Sequence, residues 1–321
     1  MPAAYLPSPA SAIWHLGTLP VRTYAVCMVI GVVVGLWLTN RRYCEAGGRP
    51  GVILDMATVA VPVGLVGARL YSVLTNANRY FGAGRDWTDL LRVWDGGMGV
   101  AGAVAAGALA AWAYCRRTGT DLGPVALAAA PALAVAQAIS VWGNWFSQEL
   151  YGHPSGLPWA VAIAPQHRVN GYQAVATFQP LFLYESVLDL LIAAVVSYAI
   201  WRFLLSGASA FALYAALWAT AGAVIEALRV DYSPRMFGLR SNMLGMVVVL
   251  AGAITYLAVS RRRHRRRLMV QPAESVSRQR MLRPRSSRAT SGSIGLAGPA
   301  EALGPDETNP PGAVSGPQLQ R

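Results

Sequence analysis

The sequence contains no lysine, so all 27 of its cationic side chains are arginine. Together with the abundant Ala, Gly and Val, this reads as codon usage and carries no functional signal. Charge is scarce altogether. Only 13% of the 321 residues are charged and 54% are hydrophobic, whereas a typical soluble domain is roughly 25% charged. That balance excludes a soluble globular enzyme and an unstructured chain alike. Cysteine is sparse too: Cys27, Cys44 and Cys115 form an odd set without CxxC spacing, which argues against a disulfide framework. The His and Cys residues are too few and too scattered to make a ligand set, so no metal is expected, and no other cofactor is implied. The first nine residues, MPAAYLPSP, hold no basic cluster, so the hydrophobic run that follows is not read as a cleaved signal peptide.

What the chain does have is long apolar runs. A bilayer core needs about 20 such residues as a helix. Stretches 21–39, 52–74, 97–115, 124–146, 180–204, 208–228 and 241–259 meet that need. The third is almost wholly Ala, Gly and Val, a composition that lets helices approach closely. The expected fold class is an all-α membrane protein, a bundle of seven transmembrane helices over residues 1–260. Arginines orient it. Arg41 and Arg42, Arg116 and Arg117, Arg202, and the run from Arg261 to Arg267 follow odd-numbered spans. Those ends belong to the cytoplasm by the excess of basic residues there, leaving the N-terminus outside a plasma membrane crossed several times. No pair of short, broken helices recurs in corresponding halves, which argues against a transporter.

Residues 261–321 form a separate basic tail. They carry 12 Arg against 4 acidic residues, whereas residues 1–260 carry 15 against 11. From residue 268 on, Ser, Pro, Gly and Arg dominate, a composition that buries no core and predicts disorder. The Arg cluster reads as an anchor on anionic membrane lipid. No aromatics interleave with it, so nucleic acid is not an expected partner.

An ionisable side chain within a span is costly and marks function by default. With the orientation above, several such groups share the outer level: Arg22 and Tyr24 open the first span, Arg69 and Tyr71 close the second, Asp95 opens the third, and Asn144 to Glu149 close the fourth. Glu185 opens the fifth, Glu226 and Arg229 close the sixth, and Arg240 opens the seventh. A ring of polar groups at one depth, each from a different helix, suits an outer-leaflet cavity for a polar lipid head. Asp189, one turn from Glu185, reads instead as one half of an interhelical ion pair that fixes packing.

Two stretches stand out. Trp142 to Gly152 sets Asn, Gln and Glu beside three aromatics between two glycines, and Trp94-Asp95-Gly96-Gly97-Met98-Gly99 turns into a span. At these two stretches the sequence resembles the prolipoprotein diacylglyceryl transferase family. The resemblance extends to Tyr5–Pro9 with Trp14–Gly17 and Pro20–Ala25, similar to the actinobacterial branch. It also covers Gly67-Ala68-Arg69-Leu70-Tyr71, Gln179-Pro180-Leu181-Phe182-Leu183-Tyr184-Glu185 and Ile225-Glu226-Ala227-Leu228-Arg229. The resemblance implies that a lipobox cysteine thiol of a preprolipoprotein signal peptide displaces glycerol phosphate from phosphatidylglycerol, forming a thioether. Such a reaction needs a cation or dipole on the phosphate and a thiolate nucleophile.

On that resemblance, Tyr24 and Asn144 would hydrogen-bond the head group or the peptide near the thiol, and Glu149 and Glu226 would orient arginines or accept a proton. Arg69, Arg229 and Arg240 would hold the lipid phosphate. Asp95, Gly96 and Gly97 would shape the chamber wall, and Gly152 would allow close backbone approach. The sequence also departs from the family. Where the family has Gly-Arg three residues before its signature Asn, Ser140 and Val141 stand here, and Ser147 replaces a second Asn. Gly222 stands where the sixth helix has an Arg, and Trp218 where it has Tyr. Each charge-assisted hydrogen bond to an anion contributes roughly 1.5–3 kcal/mol, so two lost cations amount to about 10²–10⁴ in rate. The alternative reading is therefore a catalytically weak paralogue that binds phospholipid or lipoprotein precursors without efficient transfer.

Overall fold

The structure, a computed structural model, describes residues 5–9, 11–16, 19–75, 99–231, 235–236 and 238–281. It divides into a compact unit, Met1–Leu268, and a second unit, Met269–Arg321. Asp95, Gly96 and Gly97 lie outside the described residues.

In the described residues, each of the seven apolar stretches is largely helical. They are α1 (Thr23–Glu45), α2 (Val52–Thr75), α3 (Val100–Thr118), α4 (Leu122–Ser140, with a short α5, Gly143–Ser147, continuing it), α6 (Leu181–Phe203), α7 (Gly207–Leu228) and α8 (Ser241–Met281). Six of these segments are long and apolar enough to cross a membrane: Thr23–Glu45, Val52–Thr75, Leu122–Ser147, Leu181–Phe203, Gly207–Leu228 and Asn242–Arg263. Helix α3 is not in that set, because its Ala and Gly are only weakly apolar and it ends on Arg116 and Arg117. Helix α8 runs on to Met281, through residues 268–281 that composition assigns to a disordered tail. Leu, Met, Gln, Ala, Glu and Arg make up nine of those fourteen residues, and all are good helix formers.

The bundle is inside out relative to a soluble protein. Val29, Val33, Leu70 and Val248 are each more than half exposed, while Ala130, Ala132 and Ala134 are fully buried. Large apolar side chains face the hydrocarbon, and small ones let backbones meet. Helix α1 lies on α4 at Gly31, where a Cβ would stand 2.5 Å from the Ala136 carbonyl oxygen. Helix α2 lies on α3 at Gly67, where a Cβ would stand 2.6 Å from the Gly102 carbonyl oxygen. Each contact closes to backbone distance because the glycine brings no side chain and its partners are small.

Two apolar clusters mark opposite ends. Tyr43, Ile53, Met56, Cys115 and Val125 join the end of α1, the start of α2, the end of α3 and the start of α4. This is the end that carries Arg41, Arg42, Arg116 and Arg117. At the other end Tyr151, Val161, Ile163, Phe178 and Phe182 form the core of a small cap built from the α5–α6 loop. Its hairpin pairs β3 (Val161–Ala162) with β4 (Thr177–Phe178). The N-terminal segment adds to it: Leu6 N–H donates to the Ala160 carbonyl at 2.8 Å, and Ala162 N–H donates to Leu6 at 3.0 Å. Another hairpin, β1 (Ile13–Leu16) with β2 (Leu19–Arg22), leads directly into α1. A third, β5 (Arg235–Met236) with β6 (Leu239–Arg240), joins α7 to α8.

Candidate active site

The polar candidates gather at the capped end. Glu226, in the last turn of α7, is 2% exposed. Burying a lone carboxylate that deeply would cost several kcal/mol. It is instead held from two sides: Arg229 Nη1 donates to Oε2 at 2.8 Å and Arg240 Nε donates to Oε1 at 2.7 Å. Asp231 completes the cluster. It takes a two-pronged contact from Arg229, Nε to Oδ1 at 2.8 Å and Nη2 to Oδ2 at 2.7 Å, and a third bond from Arg240 Nη2 at 3.1 Å. Arg240 also donates to the main-chain carbonyls of Arg229 and Asp231, each at 3.1 Å. Two cations thus meet two anions, and the group is close to neutral. Burial works against the Arg229 charge, but Asp231 and Glu226 more than offset it and hold the guanidinium above its ordinary value.

Two residues from the α5–α6 loop flank this cluster. Gly152 faces Arg229 across a single antiparallel bridge, and its N–H donates to the Gln179 carbonyl at 3.0 Å. A Cβ on Gly152 would stand 3.0 Å from Gln179 Cβ and 3.1 Å from Leu181, so only glycine fits without displacement. Glu149 lies between Gln148 and Leu150, both of which adopt left-handed backbone, with φ of 55° and 56°. Neither is glycine, and non-glycine residues in that region carry strain of order 1–3 kcal/mol that surrounding contacts must hold. Here the Gln148 side chain does so, donating to the Pro9 carbonyl at 3.1 Å and accepting from Ala164 N–H at 2.8 Å. A cavity of about 300 Å³ runs along this segment, lined by Glu149, Tyr151, His167, Val230 and Asp231 among others.

Helix α5 brings in the rest. Asn144 is buried on it. Its neighbour Gly143 lies on the start of α1, where a Cβ would be 2.7 Å from the Tyr24 ring. Glu185, near the start of α6, accepts from Gln137 Nε2 at 3.4 Å. Glu226, Arg229 and Arg240 thus form one cluster with Gly152 paired to it, Glu149 shares a cavity with Asp231, and Tyr24 lies against Gly143 beside Asn144. Arg69 is buried on α2 and engaged within the protein.

Two features were not anticipated. Asp231 completes the charge cluster, and its signal was a charge count: two outer arginines faced one buried glutamate. Asp189 forms no ion pair. It is 2% exposed, and its Oδ2 has no hydrogen-bond partner. Among the described residues no cation pairs with it.

The sequence profile described as prolipoprotein diacylglyceryl transferase matches residues 11–259. Phosphatidylglycerol–prolipoprotein diacylglyceryl transferase 2 of Streptomyces coelicolor is 46% identical over 264 residues, 82% of this chain and 83% of that protein. Transferase 1 of the same organism is 46% identical over 85% of this chain and 79% of its own length. A protein of that name from Frankia alni is 45% identical over 81% of this chain and 68% of its own.

Proposed function

Because the chain belongs to the prolipoprotein diacylglyceryl transferase family, we propose that it moves the diacylglyceryl group of phosphatidylglycerol onto the lipobox cysteine thiol of preprolipoproteins, the first step of lipoprotein maturation. The observation that carries this reading is the meeting of Glu149, Gly152, Glu226, Arg229 and Arg240 at one end of an apolar bundle. In the reaction the cysteine sulfur bonds to the lipid glycerol carbon, and that carbon's bond to the phosphate oxygen breaks. Glycerol phosphate leaves with the electron pair, and the thiol proton passes to a base.

Within this reading the bundle spans the bacterial plasma membrane seven times, α3 included, with the N-terminus outside and the site in the outer leaflet. Residues 1–260 form the transferase domain and residues 261–321 a basic cytoplasmic tail. Glu149 is exposed and enters none of the ion pairs around Glu226, so it is free to take the thiol proton. Glu226 is committed to two arginines and orients them. Arg229 keeps one N–H on each of its terminal nitrogens for the departing phosphate, since three of its five donors are in use. Arg69 and Arg240 supply further positive potential. Tyr24 and Asn144 hydrogen-bond the head group or the peptide, and Asp95, Gly96 and Gly97 shape the wall.

The weak-paralogue reading also has an observation behind it. Val141 is 8% exposed, and a side chain on Gly222 would meet Met246 Cε at 2.8 Å. The test is expression in cells depleted of their own transferase, following the mass of a reporter lipoprotein. Diacylglyceryl addition is expected. A reporter that stays unmodified, with the protein present in the membrane, would defeat the transferase reading. Recovery with Val141→Arg and Gly222→Arg together would then favour the paralogue.

A further inference from the structure

Among the described residues, six buried side-chain polar atoms have no hydrogen-bond partner in the protein. Four of them, Thr23 Oγ1, Trp145 Nε1, Ser147 Oγ and Gln179 Oε1, sit in the segments that frame Asn144 and Gly152. Buried polar atoms are normally satisfied, and each exception calls for an explanation. A concentration of exceptions at one site points to a polar ligand that supplies the missing partners.

Gln179 is the most informative of the four. Its backbone is fixed on both sides: its N–H donates to the His153 carbonyl at 3.0 Å, and its own carbonyl accepts from Gly152 N–H at 3.0 Å. Its Oε1 lies over Gly152, 3.1 Å from where a Cβ would stand, and Gly152 pairs with Arg229. A bare amide oxygen is thus held beside the glycine whose main chain pairs with that of Arg229, the residue proposed to hold the phosphate. That oxygen is an acceptor only. It repels the oxygens of a phosphate and suits a hydroxyl, which can donate.

We infer that Gln179 Oε1 is a specificity-determining acceptor that binds a hydroxyl of the lipid's glycerol head group. This rests on the transferase reading above and deepens it. Arg229 reads the anionic phosphate that many phospholipids share, and Gln179 reads the hydroxyl that distinguishes phosphatidylglycerol among them. The cysteine thiol of the peptide is another possible donor, and the two sources separate experimentally.

The purified full chain is assayed with a lipobox-cysteine peptide and either of two lipids, phosphatidylglycerol or phosphatidylethanol. The two carry the same charge, and only the first has head-group hydroxyls. The wild type is expected to favour phosphatidylglycerol in kcat/KM by on the order of tenfold, the loss that follows when an acceptor goes unmet. Gln179→Leu is expected to collapse that ratio toward one, and Gln179→Glu, which keeps an acceptor, to restore most of it. A ratio unchanged in Gln179→Leu overturns the assignment, whether or not overall rates fall, because an acceptor for the thiol would affect both lipids equally. A wild type that transfers from neither lipid overturns the transferase reading, and this one with it.

Discussion

Glu226 and Asp189 are equally buried, at 2% exposure each, yet they answer different physical problems. Glu226 has two guanidinium partners and Asp189 has none. Removing one partner from a buried ion cluster leaves the others uncompensated, at a cost of roughly 3–5 kcal/mol. Glu226→Gln should therefore lower the melting temperature in detergent sharply. Asp189→Asn replaces a buried carboxyl that no cation partners with a neutral amide of similar shape, and so breaks no ion pair. Its melting temperature should not fall. A comparable loss in both variants would mean that the cluster does not hold the end of α7. Sequence reasoning found Glu226 because an ionisable side chain within an apolar span is costly and therefore stands out. It misjudged Asp189, because whether a cation on another helix faces a given turn depends on helix rotation, which no local pattern records.

At the level of elements, the strained loop and the glycine seams matter most. Gln148 ties the N-terminal segment to the cap through Pro9 and Ala164 while holding left-handed backbone. Gln148→Ala leaves the backbone partners at both ends unmet, costing about 1–3 kcal/mol. Amide exchange at Leu6 and Ala162 should speed up, and transfer activity should drop with it. Unaltered exchange would show that the segment is anchored elsewhere. The seams set a second expectation. Gly102→Val places branched carbons against the Gly67 carbonyl, so α2 and α3 must separate. Thermal stability in detergent should decline, while Gly252→Val, with nothing within 4 Å, should be tolerated.

The six spans were legible because crossing a hydrocarbon layer demands an unbroken apolar stretch. The hairpins were not, since two- to four-residue strands leave no period to read. Positive φ at Gln148 and Leu150 was equally hidden, as neither residue type advertises it.

For the whole molecule, the family match ends at residue 259 and the compact unit ends at Leu268. The residues proposed to act in the reaction all precede Asn242. A chain truncated after Leu268 should insert into the membrane and keep wild-type transfer, measured by reporter lipoprotein mass. Loss of transfer at normal membrane abundance would give the Arg-rich tail a catalytic role. The proposed orientation is tested by labelling with a membrane-impermeant maleimide. A cysteine at Ser155 should react in intact cells, and one at Arg262 only after permeabilisation.

The charge cluster also bears on biosynthesis. A ribosome delivers Glu226, Arg229 and Asp231 before it delivers Arg240. During that interval the nascent trio holds two carboxylates against one guanidinium, an imbalance the low-dielectric environment penalises. Arrival of the final helix cancels it. Docking of the last translated span and electrical neutralisation are thus a single step, and a polypeptide stalled before that point is left with an uncompensated negative charge.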